Sequence, residues 1–261
     1  MKLGMVTYQL GVRWDLDTLL NKCHTLGFEG VELRTGHQHG VEPSLYNQER
    51  VEVKNKFADS PVKLLGLGST CEYHSPDPAI LEKNISETKE FVLLAKDVGA
   101  EGVKVRPNGI PPEVPVEKTL EQIGLALREV SAFASDYGVK IWLEMHGKGS
   151  SSPIYTKQMM DIASHPNFYI CWNSNQQDLD ETGSIEKHFN LLKEKISLCH
   201  IHELSDTNYP WLSLFSLLQK MNYQGYCMAE VNISTEPERY MKNYKALFNA
   251  LNRIASELEN K

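Results

Sequence analysis

The 261-residue sequence predicts an α/β protein, folded as a single (β/α)8 TIM barrel domain over residues 1–261. Short apolar or β-branched runs alternate with longer segments of helical spacing, which is typical of parallel strands joined by helical crossovers. About eight such units fit this length, since barrels of this type run to about 250 residues. We find no linker, low-complexity tract or change in composition, so we expect no second domain.

The predicted strands and helices are delimited by turn and capping residues. Gly27 and Gly99 follow two of the helical segments, and a glycine between a helix and a strand is a C-cap signal. Asp15 and Asp77 stand where N-caps are favoured. The strands are expected at 3–8, 30–34, 62–68, 102–106, 139–146, 168–172, 196–202 and 226–231. The helices are expected at 16–26, 43–58, 78–98, 116–137, 155–163, 185–195 and 212–221, with 247–258 inside the last.

A doubly wound open sheet is the alternative architecture. It usually carries a glycine-rich phosphate-binding turn after the first strand. Residues 8–13 here read YQLGVR, which lacks that glycine pattern. The sequence therefore favours the barrel.

Charge and cysteine content exclude several classes of protein. The chain has 27 Lys and Arg against 34 Asp and Glu, a net charge of −7, whereas a nucleic-acid binder needs a basic surface. Its 5 cysteines form no Cys-x-x-Cys pair and suggest buried thiols in a reducing compartment. No run approaches the roughly 20 apolar residues that span a membrane, and no signal peptide is evident. We expect a cytoplasmic protein with no nucleic-acid or membrane partner.

Polar residues interrupt the predicted strands in a regular phase. Barrel strands are covered on both sides and should be nearly all apolar. In the fifth run, however, Glu144 and His146 lie on the face opposite Ile141 and Leu143. Since the apolar face should meet the helices, the polar face should point into the barrel. The same alternation turns Glu32, Arg34, His200, His202 and Glu230 inward.

The inward polar residues also gather at the carboxyl ends of their runs, where barrel enzymes carry their chemistry. A single inward His or Glu is more often a hydrogen-bonded structural residue, but four or five in one phase favour a shared site. Carboxylates and imidazoles in a water-poor mouth are costly unless they are compensated. A divalent cation would compensate them, and these ligands suit Mn²⁺, Zn²⁺, Co²⁺ or Mg²⁺.

Four short motifs together resemble those of a known superfamily. They are GVELR at 30–34, WLEMH at 142–146, HIHE at 200–203 and AEV at 229–231. Their order and spacing are similar to those of the xylose isomerase-like TIM barrels, which include sugar phosphate isomerases, epimerases and endonuclease IV. The resemblance covers essentially the full length, and it is more specific for the fold than for the reaction.

The resemblance implies a metal centre. In ketose 3-epimerases of this superfamily, Glu, Asp, His and Glu from the ends of strands five to eight hold a divalent metal. His200 is favoured over His202, because the usual seventh-strand pattern is His-x-x-Asp/Glu, which His200 and Glu203 satisfy. The implied ligands are Glu144, Asn173, His200 and Glu230, with Glu144 and Glu230 as the catalytic acid and base.

The sixth strand departs from the family pattern Asp-x-x-His. Asn173 stands at the position of the aspartate. Its carbonyl oxygen can reach a metal, but it contributes no charge. We therefore expect weaker metal binding than in relatives and a shift towards metals that prefer nitrogen ligands.

The implied function is a metal-dependent isomerase or epimerase of a keto sugar or keto polyol. The metal would polarise the carbonyl and stabilise an enediolate. One glutamate would remove the proton α to the carbonyl and the other would return it, with the assignment left open. Lys104 and Arg34 also lie near strand ends. The residues expected to contact substrate are His74, Arg106, His146, Trp172, Asn175, His202 and Glu203.

Two alternatives stay open. A keto-inositol dehydratase-type lyase would use the same residues, and a non-catalytic sugar-binding barrel with a degenerate metal site is supported by Asn173. Phosphodiester hydrolysis is disfavoured, because the fourth strand ends in Arg106 where endonuclease IV places a histidine. The expected partner is a small sugar or polyol, and homo-oligomer formation is left open.

Overall fold

The computed structural model describes residues 1–259, in which eight parallel strands close into one barrel and confirm the predicted fold. Each strand pairs with the next, and the eighth pairs with the first. The strands are β1 (Lys2–Val6), β2 (Gly30–Arg34), β3 (Lys63–Glu72), β4 (Gly102–Arg106), β5 (Lys140–Glu144), β6 (Phe168–Trp172), β7 (Ile196–Ile201) and β8 (Tyr226–Ala229). The helices are α1 (Leu16–Leu26), α2 (Asn47–Ala58), α3 (Pro78–Val98), α4 (Val116–Asp136), α5 (Pro153–Ala163), α6 (Glu186–Leu192), α7 (Trp211–Lys220) and α8 (Pro237–Glu259).

The predicted capping residues lie at the helix ends as expected. Asp15 accepts a hydrogen bond from the backbone N–H of Thr18 at 2.8 Å, and Asp77 accepts one from Ala79 at 2.9 Å. Gly27 closes α1 with φ 74°, a left-handed conformation that glycine adopts without strain. These local signals explain why α1 and α3 match their predicted bounds.

Most of the other elements differ from their predicted bounds by one to four residues at one end or both. Helix α2 begins at Asn47 instead of residue 43, because the Glu49 carboxylate accepts a hydrogen bond from the Tyr46 N–H and fixes the first turn there. Strand β3 runs on to Glu72 with an irregular register after Gly68. Helix α8 begins at Pro237, since proline is well suited to the first turn of a helix.

The barrel interior is stacked in layers, as barrel strands require. The inward polar residues at the carboxyl ends of the strands form one layer. An apolar layer lies directly below it, because inward residues recur every second position along a strand. Trp142, for example, precedes Glu144 by two positions. A Cβ atom added at Gly102 would lie 2.5 Å from the Trp142 ring, so position 102 requires glycine. The apolar layer consists of Val6, Leu65, Trp142, Cys171, Leu198 and Met228.

The other buried apolar residues form the large core between strands and helices. All five cysteines are buried and free, as the cysteine pattern predicts. Across residues 1–259, no helix has both the length and the apolar character that a membrane crossing demands.

Candidate functional site

A cavity of about 420 Å³ opens at the carboxyl ends of the strands. Polar side chains reach it from several neighbouring strands, as the alternation predicts. Tyr8, two residues after the end of β1, was not among the predicted site residues, although its place after a strand end was a usable signal. Arg34 and Lys104 also line the cavity. The predicted site residues that line it are Arg106, Glu144, His146, Asn173, Asn175, His202, Glu203 and Glu230.

The structure brings Glu144, His200 and Glu230 together. One ligand atom from each lies within 4.8 Å of the other two. His200 Nδ1 is 3.4 Å from Glu230 Oε2 and 3.7 Å from Glu144 Oε1. Three of the four predicted metal ligands therefore face one point at the base of the cavity.

Glu32 fixes the ring of His200. Its Oε2 lies 2.9 Å from His200 Nε2, and both side chains are fully buried. This contact leaves Nδ1 facing the two other carboxylates without a hydrogen-bond partner. Histidines that bind metals usually hold their second ring nitrogen against a carboxylate in this way. A buried, unpartnered nitrogen beside two carboxylates is a donor set that fits a divalent cation.

Gly68 makes room for Glu32. A Cβ at this position would lie 2.6 Å from Glu32 Oε1, so any larger residue would displace the carboxylate. The position of the His200 ring thus depends on a glycine in the neighbouring strand.

Lys104 supplies a permanent cation inside the site. Its Nζ donates to Glu144 Oε2 at 2.5 Å, and both side chains are buried. Burial lowers the pKa of Lys104, but the carboxylates of Glu144, Glu32 and Glu230 raise it above its ordinary value. The alternation that turns Arg106 inward also turns Lys104 inward, but the ion pair depends on distances between strands that the sequence does not give.

Glu144 and Glu230 are held ionised. Burial alone would raise the pKa of Glu144, but Lys104 and His200 bring it down to about 2. Burial likewise opposes ionisation of Glu230, whose pKa is held well below its usual range by His200 and His202. Both groups are therefore carboxylates at neutral pH, which is the form required of a metal ligand or a general base.

Asn173 lies beside this cluster. Its Oδ1 is 3.3 Å from His202 Nε2, and its Nδ2 donates to the Met145 carbonyl at 3.3 Å. His202 Nε2 is also 3.4 Å from Glu230 Oε2. Asn173 thus faces the cavity next to the predicted ligands, and its role as a metal ligand stays a prediction.

A hydrogen-bonded group holds the wall near the end of β4. Glu72 accepts from the Arg106 guanidinium at 2.7 Å and also from the side-chain amide of Asn108. The Asn108 Oδ1 lies 2.7 Å from His146 Nδ1. Arg106 and His146 therefore present fixed polar atoms to the cavity.

Helix α8 holds the end of β7. The Tyr244 hydroxyl donates to the carbonyls of Ile201 at 3.0 Å and His202 at 2.6 Å. The Tyr240 hydroxyl donates to Glu203 Oε2 at 2.5 Å. His202 and Glu203 are thereby positioned by a helix that follows β8.

Two predicted substrate contacts lie outside the cavity. Trp172 is fully buried among the helices, because Cys171 and Asn173 take the inward positions on either side of it. His74 lines a neighbouring depression, with its Nδ1 3.8 Å from Glu72 Oε2.

Trp172 belongs to a buried polar network. Its indole N–H donates to the Tyr209 hydroxyl at 2.9 Å, and that hydroxyl donates to Asp178 Oδ2 at 2.9 Å. The Asn175 N–H also donates to this oxygen, at 2.8 Å. Burial raises the pKa of Asp178 to about 7, although the bonds from Tyr209 and Asn175 act to lower it. Asp178 thus anchors the loop that carries Asn175 to the cavity.

The chain matches a known protein family over most of its length. A model of the xylose isomerase-like TIM barrel family matches residues 20–251. The chain belongs to this family. This agrees with the resemblance carried by its four motifs. A comparison of this family member with curated proteins by sequence finds no match.

Solved structures share the fold of this xylose isomerase-like barrel. An L-ribulose 3-epimerase matches with a TM-score of 0.84 and 15% identity, over 100% of this chain and 97% of that one. The IolI protein with a bound zinc atom matches with a TM-score of 0.79 and 18% identity, over 97% and 98%. A probable 3-DHS dehydratase, AsbF from Bacillus anthracis, matches with a TM-score of 0.72 and 14% identity, over 95% and 99%. At these identities, the likeness shows the fold.

Proposed function

We propose that this protein is a metal-dependent isomerase or epimerase of a keto sugar or keto polyol. It would act by proton abstraction α to a carbonyl, through an enediolate. The observation that carries the proposal is the convergence of Glu144, His200 Nδ1 and Glu230 within 4.8 Å at the base of a polar cavity. Likeness to an L-ribulose 3-epimerase and a 3-keto-D-glucoside 4-epimerase supports the same class of reaction.

The residues that would hold the metal are Glu144, His200 and Glu230, with the side-chain oxygen Oδ1 of Asn173 as a fourth ligand. When bound there, a divalent cation supplies Lewis-acid polarisation of the substrate carbonyl. The local charges support divalent binding. With His200 neutral, as a metal ligand must be, the three carboxylates of Glu32, Glu144 and Glu230 exceed the positive charge of Lys104 by two. The zinc atom in the IolI structure supports Zn²⁺ beside Mn²⁺, Co²⁺ and Mg²⁺.

Glu144 and Glu230 would carry the proton transfers. One carboxylate removes the proton next to the carbonyl and becomes a carboxylic acid. The other returns a proton to the adjacent carbon or to the opposite face, after it has taken one up from a substrate hydroxyl or from water. Their low pKa values keep both ionised at neutral pH, so either one is in the form that can take the first proton. Lys104 holds the Glu144 carboxylate in place and adds positive charge near the oxyanion that develops.

A lyase that expels water from a keto polyol is the second candidate. The same carboxylates would abstract the proton, and a hydroxyl on the next carbon would leave as water. Likeness to the probable 3-DHS dehydratase supports this candidate.

Deuterium incorporation tests the proposal. Purified protein is incubated in D₂O with ketoses or keto-inositols and added Zn²⁺, Mn²⁺, Co²⁺ or Mg²⁺, and the sugars are analysed by mass spectrometry. We expect exchange at one carbon next to the carbonyl. Glu230→Gln should slow it at least about 100-fold, because a positioned base contributes that much. Glu236→Gln, at an exposed residue paired with Arg239, is the matched control and should leave exchange unchanged.

Three other outcomes are informative. Loss of 18 mass units from the sugar would favour the lyase over the isomerase. Unchanged exchange in Glu230→Gln would remove Glu230 from the proposed role. Failure to bind any metal and to exchange any substrate would overturn the proposal in favour of a sugar-binding barrel.

A further inference from the structure

Arg34 differs from the other charged side chains that line the cavity. Among residues 1–259, no carboxylate oxygen lies within ion-pair distance of its guanidinium, which packs over the Tyr8 ring at 5.2 Å from the centroid. The other charged groups of the cavity have partners inside the protein. These pairs are Lys104 with Glu144, Arg106 with Glu72, Glu230 with His202, and Glu203 with Tyr240.

The backbone of Arg34 is fixed on both sides. Its N–H donates to Thr7 Oγ1 at 2.9 Å, and its carbonyl oxygen lies 2.8 Å from His39 Nε2. Thr7 and His39 are both buried. Stacking on Tyr8 restrains the plane of the guanidinium while its N–H edges stay free to donate. Arg34 is therefore a positioned donor, unlike a mobile surface charge.

The space beside Arg34 is basic. A second cavity of about 420 Å³ shares Tyr8 and Arg34 with the first, and it is also lined by Gln9, Arg13 and His37 without any Asp or Glu. Burial, together with His39 and Arg34, lowers the pKa of His37 to about 4, so this ring adds a neutral polar edge.

The carboxylates on either side of Arg34 in the chain are held elsewhere. Glu32 Oε2 lies 2.9 Å from His200 Nε2. Glu42 accepts from Thr35 Oγ1 at 2.6 Å and from the Gly36 N–H at 2.7 Å, and it lines a different depression. Arg34 and Arg13 are thus left without an acidic residue that neutralises them. In a chain of net charge −7, such a local excess of positive charge favours the binding of an anion here.

We propose that Arg34 binds an anionic group of the substrate, a phosphate monoester or a carboxylate, at the end remote from the carbonyl. This assignment rests on the proposed function and narrows its substrate class to anionic keto sugars. A planar guanidinium matches either group through two parallel hydrogen bonds. Arg13, which also lines the second cavity, would be the second donor to that group.

The first experiment measures anion binding without turnover. Protein treated with a chelator is titrated with inorganic phosphate and with acetate at low salt by calorimetry. We expect one of these anions to bind, with affinity at least tenfold lower in Arg34→Met and intermediate in Arg34→Lys. Arg253→Met, at an exposed α8 residue, is the matched control and should bind like wild type. If neither anion binds, or if Arg34→Met binds like wild type, the proposal is overturned.

The second experiment separates the two sources of negative charge. Binding of D-fructose, D-fructose 6-phosphate and D-fructuronate is compared in wild type and both Arg34 variants, with thermal unfolding as the check on folding. We expect at least tenfold tighter binding of one anionic sugar, and Arg34→Met should remove that preference while leaving fructose unaffected. Preference for the 6-phosphate assigns a phosphate, and preference for the uronate assigns a carboxylate. Equal affinity for all three overturns the proposal.

These measurements do not depend on proton transfer. If deuterium exchange fails but the Arg34-dependent preference persists, the isomerase proposal falls and the anion site stands. If exchange occurs on neutral ketoses and the Arg34 variants exchange at the wild-type rate with all three sugars, the anion site falls.

Discussion

Glu32 Oε2 lies 2.9 Å from Nε2 of His200, and this single contact decides which ring nitrogen faces the candidate metal centre. The two residues are 168 positions apart in the chain, on strands that are not neighbours in the barrel. Without Glu32, the imidazole of His200 would lose the partner that orients Nδ1 towards Glu144 and Glu230.

Glu32→Gln is expected to weaken metal binding by about 10–100-fold, since loss of a carboxylate behind a histidine ligand typically has that effect. The substitution preserves size, so the space beside Gly68 stays filled. Affinity is measured by competition with a chromophoric chelator. Glu236→Gln is the surface control. Wild-type affinity in Glu32→Gln would show that the contact does not orient a ligand.

Lys104→Met is expected to make the stability of the protein depend on metal. Removing one partner of a buried ion pair costs about 3–5 kcal/mol, because Glu144 is left buried and uncompensated. A bound divalent cation would take over that compensation. The free energy of unfolding is measured in urea with chelator and with Zn²⁺. The variant should lose stability with chelator and recover most of it with metal.

Lys140→Met is the control for Lys104→Met. Lys140 pairs with Glu101 at 3.3 Å near the surface, where ion pairs contribute at most about 1 kcal/mol. If Lys104→Met is as stable as wild type in chelator, Lys104 does not compensate Glu144.

Asn173→Asp is expected to tighten metal binding by about tenfold or more, because it adds a charged oxygen ligand beside His202. The same chelator competition measures the change. Asn167→Asp, at a residue that hydrogen-bonds backbone carbonyls away from the cavity, is a control for the added charge. Unchanged affinity in Asn173→Asp would indicate that this position is not a ligand.

Asp178 is expected to make the protein less stable as the pH rises from about 4 to about 7. Its pKa is raised to about 7 by burial, so the folded state holds a proton that the unfolded state releases near pH 4. Stability is full below the unfolded pKa, and it is lost at up to about 1.4 kcal/mol per pH unit as the pH rises.

Asp178→Asn should flatten this part of the profile, measured by urea unfolding between pH 4 and pH 8. Asp136→Asn, at the exposed end of α4, should run parallel to wild type. A wild-type slope in Asp178→Asn would assign the pH dependence to another group.

The sequence predicts most of the fold because the signals are local. The capping residues Asp15 and Asp77 and the glycines at strand starts lie within a few positions of what they specify. The inward phase of Glu144, His200 and Glu230 follows from alternation along single strands, so their convergence was also predictable.

Other parts of the site depend on contacts between strands. The pairing of Lys104 with Glu144 and of Glu32 with His200 is set by the diameter and register of the closed barrel, to which no local pattern refers. Trp172 was expected at the cavity on account of its position at a strand end. Its phase relative to Asn173 argued for the helix layer, which is where it lies.

The hydrogen bonds from Tyr240 and Tyr244 to the end of β7 mean that the site is completed late in the synthesis of the chain. Helix α8 leaves the ribosome last among the described elements, and β8 pairs with β1, which was made first. A nascent chain that lacks α8 has neither the Tyr240 donor to Glu203 nor the Tyr244 donor to the His202 carbonyl. The cavity therefore acquires its final shape only once α8 has emerged and packed against the barrel.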